Sequence, residues 1–271
     1  MNIVEKLIES KTMNQIDCED GLFINENFVA VIDGATSKGE IVWDGKLGGR
    51  YIKDVIIETL SKLDEDMDAK EAFKMINDNI KISYKDNYEI AKANPQERLE
   101  ASIIIFNRKK QEIWSLGDCQ CMINNNLYIQ EKKIDTVLSE VRSLYIKLSL
   151  LEGKTKEQIV EKDVGKEFIL PILNKQTLFS NSNDPEYGFA LLDGFDINFD
   201  DIKIYKVKKG DEIIFASDGY PELKNTLEAS EIILEEMLKT DPLLINRFKS
   251  TKCLYKENKS FDDRTYVKFT V

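Results

Sequence analysis

The chain has 271 residues, of which 42% are hydrophobic and 32% are charged, the composition of an ordinary globular protein. Its formal net charge of −11 argues against a polyanionic partner such as a nucleic acid. No apolar run approaches the roughly 20 residues that a membrane span needs, and the N-terminus lacks a basic region followed by an apolar one. We therefore expect a cytoplasmic protein without a membrane partner.

The first part of the sequence predicts a β-hairpin that carries acidic residues. Residues 22–24 and 28–33 predict two strands around an Asn-rich turn, since Asn tolerates the backbone angles of tight turns. The second of these strands is apolar enough to be buried on both faces. The hairpin would bring Glu19 and Asp20 alongside Asp33.

The remaining segments alternate between helical and strand patterns, and residues 1–13 fit either a short helix or an edge strand. Helical patterns cover 46–63, 68–93, 133–181 and 229–239, and strand patterns cover 101–106, 112–116, 120–124, 127–130, 203–207, 212–217 and 264–271. Because hairpins outnumber strand–helix–strand crossovers, we expect an α+β fold of mostly antiparallel sheets with helices outside them. No Pro-, Gly- or Ser-rich linker interrupts the sequence, which favours one domain over residues 1–271.

The sequence contains no histidine, which restricts the chemistry available to it. Catalysis by Ser-His-Asp or Cys-His groups and zinc sites built on imidazole are excluded. The cysteines follow no zinc spacing, and Cys119 and Cys121 would lie on one face of a strand as buried free thiols. Any reaction would have to use carboxylates, metal ions and water.

Acidic residues recur where apolar strands end. Asp33-Gly34, Gly117-Asp118 and Asp218-Gly219 each follow an apolar strand pattern, and Asp262-Asp263 precedes the last strand. A single Asp-Gly pair is most often a turn, but a charge at the end of a buried strand is costly unless it is paired. The repetition indicates a shared cluster. Carboxylate and carbonyl oxygens without His or Cys select hard cations such as Mg²⁺ or Mn²⁺.

In order and spacing these residues resemble the metal-dependent protein phosphatases (the PPM, or protein phosphatase type 2C, family). The residues that carry the resemblance are Glu19-Asp20, Asp33-Gly34, Ser102, Gly117-Asp118, Asp218-Gly219 and Asp262-Asp263-Arg264-Thr265. The resemblance implies a four-layer α-β-β-α sandwich with two mostly antiparallel sheets flanked by helix pairs. It also implies that residues 133–201 form a helical flap near the active site.

The resemblance further implies a two-metal centre of Mg²⁺ or Mn²⁺ with a weaker third position. Asp33 would bridge both ions and Gly34 would offer its backbone carbonyl, with Asp33 and Asp218 as the catalytic pair. The other implied ligands are Asp218 and Asp262 for the second ion, Glu19 and Asp20 through bound water, and Asp118 for the third ion. The sequence alone leaves open whether Asp262 or Asp263 is the ligand.

Two positions depart from the family pattern. Many relatives carry an arginine before the Glu-Asp pair that clamps phosphate, where this chain has Gln15, and many carry a histidine where it has Ala35. Lys38 and Arg264, or Arg50, could supply the missing positive charge. We expect weak phosphate affinity and modest turnover from these replacements.

Three hypotheses follow from the sequence. The first is a Mg²⁺- or Mn²⁺-dependent phosphatase whose substrate is a protein phosphorylated on serine or threonine. The second is a catalytically weak or silent relative that acts as a regulatory binding module, which the replacement by Gln15 favours. The third is a structural domain whose aspartates are turn residues.

Overall fold

The protein is described here by a computed structural model that covers residues 1–36 and 38–271; Ser37, in the loop predicted after Asp33, lies outside the described residues. The strands are β1 (Asn2–Glu9), β2 (Asp20–Ile24), β3 (Phe28–Gly34), β4 (Ala101–Asn107), β5 (Glu112–Leu116), β6 (Gln120–Ile123), β7 (Asn126–Tyr128), β8 (Lys203–Lys206), β9 (Glu212–Ala216) and β10 (Arg264–Thr270). The α-helices are α1 (Gly48–Leu60), α2 (Ala69–Ser83), α3 (Tyr88–Ala93), α4 (Lys133–Leu151), α5 (Lys156–Glu161), α6 (Val164–Leu173) and α7 (Leu227–Thr240).

The strands form two five-stranded sheets in which every pairing is antiparallel. One sheet has the order β2-β3-β4-β5-β8, and the other has the order β1-β10-β9-β6-β7. We call them the first and the second sheet. The predicted α+β class with antiparallel sheets is confirmed.

Alternate side chains along β3 face different layers of the fold. On β3, Val29 and Val31 face the space between the two sheets, whereas Ala30 and Ile32 face the helices on the outside of the first sheet. Phe269 of β10 fills the same space between the sheets from the opposite side. Successive residues of a strand point to opposite faces of its sheet. Alternate residues of β3 therefore belong to two different cores, one between the sheets and one under the helices.

Helices cover the outer faces of both sheets. On the first sheet, α1 and α2 bury apolar stripes that include Ile52, Ile56 and Phe73. On the second sheet, α7 and the segment that follows it provide the cover, with Leu234 and Met237 buried there. None of the helices in the described residues combines the length and the apolar character needed to cross a membrane.

The helices α4, α5 and α6 lie within the segment 133–201 that the resemblance marks as a flap. Arg142 of α4 is fully buried and connects three parts of the chain. Its guanidinium donates to the Asp163 carboxylate before α6 at 2.8 and 2.9 Å, and to the carbonyls of Leu243 and Ser250 at 3.0 and 2.9 Å. The helices therefore hold the segment after α7 in place.

Candidate metal centre

The β2–β3 hairpin positions the first acidic pair. Asp20 lies directly opposite Asp33 in the antiparallel register, as the sequence predicts, and Asp33 lies opposite Ser102 of β4. Glu19 comes immediately before β2. The register brings the Asp20 and Asp33 backbones together at one end of the first sheet.

Two further aspartates reach this end from other strands. The backbone N–H of Asp218, just after β9, donates to Asp33 Oδ2 at 3.4 Å and so links the ends of the two sheets. Asp118, just after β5, accepts a hydrogen bond of 2.5 Å from the Ser102 hydroxyl. The structure thus brings together residues that are up to 185 positions apart in the chain.

Asp262 and Asp263 are neighbours with different surroundings. Asp263 is buried, and its two oxygens accept from the backbone N–H groups of Lys11 at 2.7 Å and Glu19 at 2.9 Å. Both residues line the cavity, but the side-chain partners of Asp262 are the movable ammonium groups of Lys11, 3.0 Å from its Oδ1, and Lys252. The carboxylate available to a ligand is therefore that of Asp262, whereas Asp263 ties two segments of backbone together.

A cavity of about 1100 Å³ opens at this end of the sheets. Ten acidic residues of the described chain line it, and we call the five that adjoin the strand ends the carboxylate cluster: Asp20, Asp33, Asp118, Asp218 and Asp262. Gly34 and Lys38 also line the cavity, and the flap and the segment after α7 form its other walls. The sequence predicted the members of this cluster, and the structure brings them to one wall.

Two glycines allow the backbone to approach closely beside the cluster. A Cβ on Gly34 would lie 2.3 Å from the Gly49 carbonyl oxygen, so the packing of α1 on β3 requires glycine there. Gly117 has a φ of +90°, and a Cβ on it would lie 2.2 Å from the Ser102 hydroxyl. Any larger residue at position 117 would push Ser102 away from Asp118.

Burial and mutual repulsion disfavour the charged forms of the central carboxyl groups. Burial raises the pKa of Asp20 to about 7, and Asp263 and Asp218 add to the rise. Burial raises the pKa of Asp33 well above its usual value, and Asp218, Asp20 and Asp118 add to that rise. The central carboxylates therefore lack sufficient positive charge around them.

Three lysines, which sequence reasoning did not identify, partly neutralise the outer members of the cluster. Lys11 contacts Asp262, Lys252 contacts Asp262 and lies 3.4 Å from Asp218, and Lys132 lies 2.7 Å from Asp118. Lys132 comes immediately before the flap, and Lys252 belongs to an irregular segment. No local pattern marks them, because their role depends on where loops return to the sheet ends.

The donor chemistry of the cluster suits a hard divalent cation. Glu19 Oε1 and Asp20 Oδ2 are buried and have no hydrogen-bond partner, and the donors available are all oxygens. Among the described residues, however, no group of three or more His, Cys, Asp or Glu side chains is gathered as a metal shell. The residues fit a metal ion by chemistry, and loading would require carboxylates to turn away from the lysines.

The two predicted substrate-binding residues have different positions. Lys38 lines the cavity and lies 3.7 Å from Glu100, and burial lowers its pKa. The Arg264 guanidinium instead binds Glu231 at 2.8 and 2.9 Å and is not among the residues that line the cavity. Gln15 accepts from the Ser10 N–H at 3.0 Å and so holds the turn after β1.

No protein-family model matches the sequence, and no curated protein matches it.

Solved structures are similar over almost the whole chain. The serine/threonine phosphatase PstP of Mycobacterium tuberculosis is 14% identical, with 98% of this chain and 97% of that one covered and a TM-score of 0.47. The PPM Ser-Thr phosphatase MsPP of Mycobacterium smegmatis is 11% identical, with full coverage of both chains and a TM-score of 0.47. The phosphatase Stp1 of Staphylococcus aureus is 14% identical, with 100% and 95% covered and a TM-score of 0.47. At these identities the similarity concerns the fold alone.

Proposed function

We propose that this protein is a divergent member of the PPM family and a Mg²⁺- or Mn²⁺-dependent phosphomonoester hydrolase. Its substrate would be a cytoplasmic protein phosphorylated on serine or threonine. The observation that carries the proposal is the convergence of Asp33, Asp118, Asp218 and Asp262 on one cavity, next to buried carboxylate oxygens that have no partner. Carboxylates that are buried together without enough positive charge are costly unless they bind cations.

Each member of the site has a proposed role. Asp33 would hold two ions jointly and Gly34 would present its carbonyl, while Asp218 and Asp262 would be ligands of the second ion. Glu19 and Asp20 would orient bound water, and Asp118 would serve a weaker third position. Bound divalent ions would lower the pKa of water and neutralise phosphate charge.

The residues of the chain itself would orient the reacting groups. The Asp218 N–H orients one oxygen of Asp33, and the Ser102 hydroxyl orients one oxygen of Asp118, whose other oxygen lies 2.7 Å from the Lys132 ammonium. Lys38, on the cavity wall, would attract the phosphoryl group. Because the sequence has no histidine, no imidazole can transfer the proton to the leaving group.

A second candidate function is a phosphatase-like binding module without activity. The lysine contacts favour it, since Lys11, Lys132 and Lys252 already pair with carboxylates that would have to bind metal. In such a protein the lysines would replace the metal ions permanently. The cavity would then bind a partner and would not hydrolyse it.

Hydrolysis of a generic aryl phosphate in the presence of Mn²⁺ separates the two functions. The phosphatase predicts turnover that requires Mn²⁺ and is lost in Asp218→Asn. The matched control is Asp78→Asn on α2, where the side chain is 54% exposed and lies outside the cavity; this variant should keep full activity. No turnover at millimolar Mn²⁺, together with no heat of Mn²⁺ binding in calorimetry, would leave the binding module as the better description.

A further inference from the structure

Positive side chains from three segments meet in the cavity beside the carboxylate cluster. Lys11 comes from the turn after β1, Lys166 from the first turn of α6, and Lys252 from the segment after α7. The whole chain has a net charge of −11, so a local concentration of ammonium groups runs against its overall charge. Solvation of surface charges does not by itself explain why three lysines of an acidic protein line one cavity.

Lys166 has the least compensated of these charges. Lys11 and Lys252 contact acidic residues of the cluster, but Lys166 makes no ion pair with any described residue. It is the third residue of α6, where the positive end of the helix dipole disfavours a cation. Burial lowers its pKa, Asp163 opposes this effect, and Lys252 and Lys11 lower the pKa further.

The Tyr255 side chain lies beside this charge with an unused hydrogen-bonding group. The Lys166 ammonium is 5.2 Å from the centre of the Tyr255 ring. The Tyr255 hydroxyl is buried and has no partner among the described residues. An unpaired ammonium and an unpaired hydroxyl on the wall of one cavity are the donors that an anion needs.

This group adjoins the carboxylate cluster directly. Lys252 contacts Asp262 and lies 3.4 Å from Asp218, and Lys11 lies 3.0 Å from Asp262. A ligand bound at the carboxylate cluster would therefore have Lys11 and Lys252 at its side. Lys166 and Tyr255 line the same cavity, close enough for the charges of Lys252 and Lys11 to lower the pKa of Lys166.

We infer that Lys166 and the Tyr255 hydroxyl, together with Lys11 and Lys252, form an anion subsite that takes a second negative group of the substrate. The inference rests on the proposed function and names its substrate class: a phosphorylated peptide with an acidic side chain or a second phosphate close to the phosphorylated residue. Such a group would supply the negative charge that Lys166 lacks. The hydroxyl of Tyr255 would donate a hydrogen bond to it.

Matched phosphopeptides test the subsite. Three phosphoserine peptides would differ only beside the phosphorylated residue, where they carry aspartate, alanine or a second phosphoserine. Hydrogen bonds to charged groups correspond to roughly tenfold or more in affinity. We therefore expect kcat/KM with Mn²⁺ to be about tenfold higher for one or both charged peptides than for the alanine peptide, mainly through a lower KM.

Two variants should reduce this preference. Lys166→Met keeps the length of the side chain and removes the charge, so the charged and alanine peptides should become nearly equivalent. Tyr255→Phe removes only an unpaired hydroxyl, so the fold should be retained while part of the preference is lost. Lys239→Met is the matched control, because Lys239 is 77% exposed on α7 and should not affect the preference.

The outcomes separate the subsite from the phosphatase activity. If the wild-type protein hydrolyses all three peptides equally well, or if Lys166→Met keeps the preference, the subsite is refuted and the phosphatase remains. If no peptide is hydrolysed, the proposed function fails, and fluorescence anisotropy with the labelled peptides tests the subsite by itself. Tighter binding of a charged peptide that is lost in Lys166→Met supports the subsite, and equal binding of all three overturns it.

Discussion

Adjacent aspartates at the end of the chain show how much the surroundings decide the role of a residue. Asp262 and Asp263 have the same chemistry, but only Asp263 accepts from the backbone N–H groups of two distant residues, Lys11 and Glu19. The sequence could not separate them, because the N–H groups that donate to Asp263 come from positions more than 240 residues away. The structure assigns the structural role to Asp263 and leaves Asp262 to the cavity.

We predict that alanine at these two positions has opposite consequences. Asp263→Ala should destabilise the metal-free protein by about 2–4 kcal/mol, because the buried N–H of Glu19 and the part-buried N–H of Lys11 lose their acceptor. Asp262→Ala should lower the free energy of unfolding by about 1 kcal/mol, because it loses partly exposed ion pairs and one part-buried hydrogen bond from the Asp263 N–H, but it should abolish Mn²⁺-dependent turnover. Urea denaturation in the presence of EDTA measures the first effect. Equal stability of the two variants would contradict the assignment.

A second residue-scale prediction concerns pH. Asp193 is fully buried, and burial raises its pKa to about 7, although the Phe195 N–H and Arg98 oppose the rise. An unfolded aspartate titrates near 3.9. The native state therefore binds more protons between about pH 4 and 7, so the contribution of Asp193 to stability is complete below pH 4 and is lost as the pH rises through 7.

Asp193→Asn tests this sign. The amide oxygen can still accept from the Phe195 N–H, which lies 2.9 Å from Asp193 Oδ1. The free energy of unfolding of the variant, relative to the wild-type protein, should increase by about 2 kcal/mol between pH 5 and pH 8. Urea denaturation at both pH values measures the difference. A difference that stays constant or falls would show that Asp193 does not titrate as described.

The predicted helices and strands agree with the structure where the local sequence pattern determines them. The β2–β3 hairpin and the Asp20–Asp33 pairing are confirmed, since a tight turn fixes the register of its strands. The helix predicted over 68–93 is interrupted after Ser83: Lys85 has a φ of 51°, and the buried Tyr84 hydroxyl donates to the Asp193 carbonyl at 2.7 Å. A distant partner of this kind cannot be seen in a local pattern.

Strand pairing between distant segments was the harder part to predict. The neighbouring strands β8 and β9 join different sheets, although a short turn separates them. The sequence left residues 1–13 open, and β1 forms there because β10 offers it a free edge. The lysines that pair with the carboxylate cluster, Lys11, Lys132 and Lys252, were missed for the same reason, since their positions depend on the path of loops. The acidic residues of the cluster could be predicted because each of them lies at or next to an end of a recognisable strand.

The connection between the flap and the segment after α7 depends on Arg142. Arg142→Met should destabilise the protein by about 3–5 kcal/mol, because it leaves the buried Asp163 carboxylate without its partner. Arg247→Met is the matched control in the same region; Arg247 is 39% exposed and its pairs with Glu222 and Glu236 should contribute less than about 1 kcal/mol. Thermal unfolding of both variants measures the difference. Similar melting temperatures would refute the role of Arg142.

At the scale of the whole molecule, an excess of negative charge surrounds a cavity whose carboxylates are only partly neutralised. Divalent ions that bind only the native state should stabilise the entire protein. At a Mn²⁺ concentration about 100 times the dissociation constant, the gain should be about 2.7 kcal/mol. Thermal unfolding with and without Mn²⁺ measures it, and Asp33→Asn should lose most of the gain. A melting temperature unaffected by millimolar Mn²⁺ would contradict metal binding to the native protein.

The central claim is that Asp33, Asp218 and Asp262 bind divalent ions together. Anomalous scattering from crystals soaked in Mn²⁺ tests this claim most directly. We predict two strong anomalous peaks between these carboxylates, with the Lys252 ammonium moved away from Asp262. A map with no peak there, and with Lys252 still bound to Asp262, would contradict the claim.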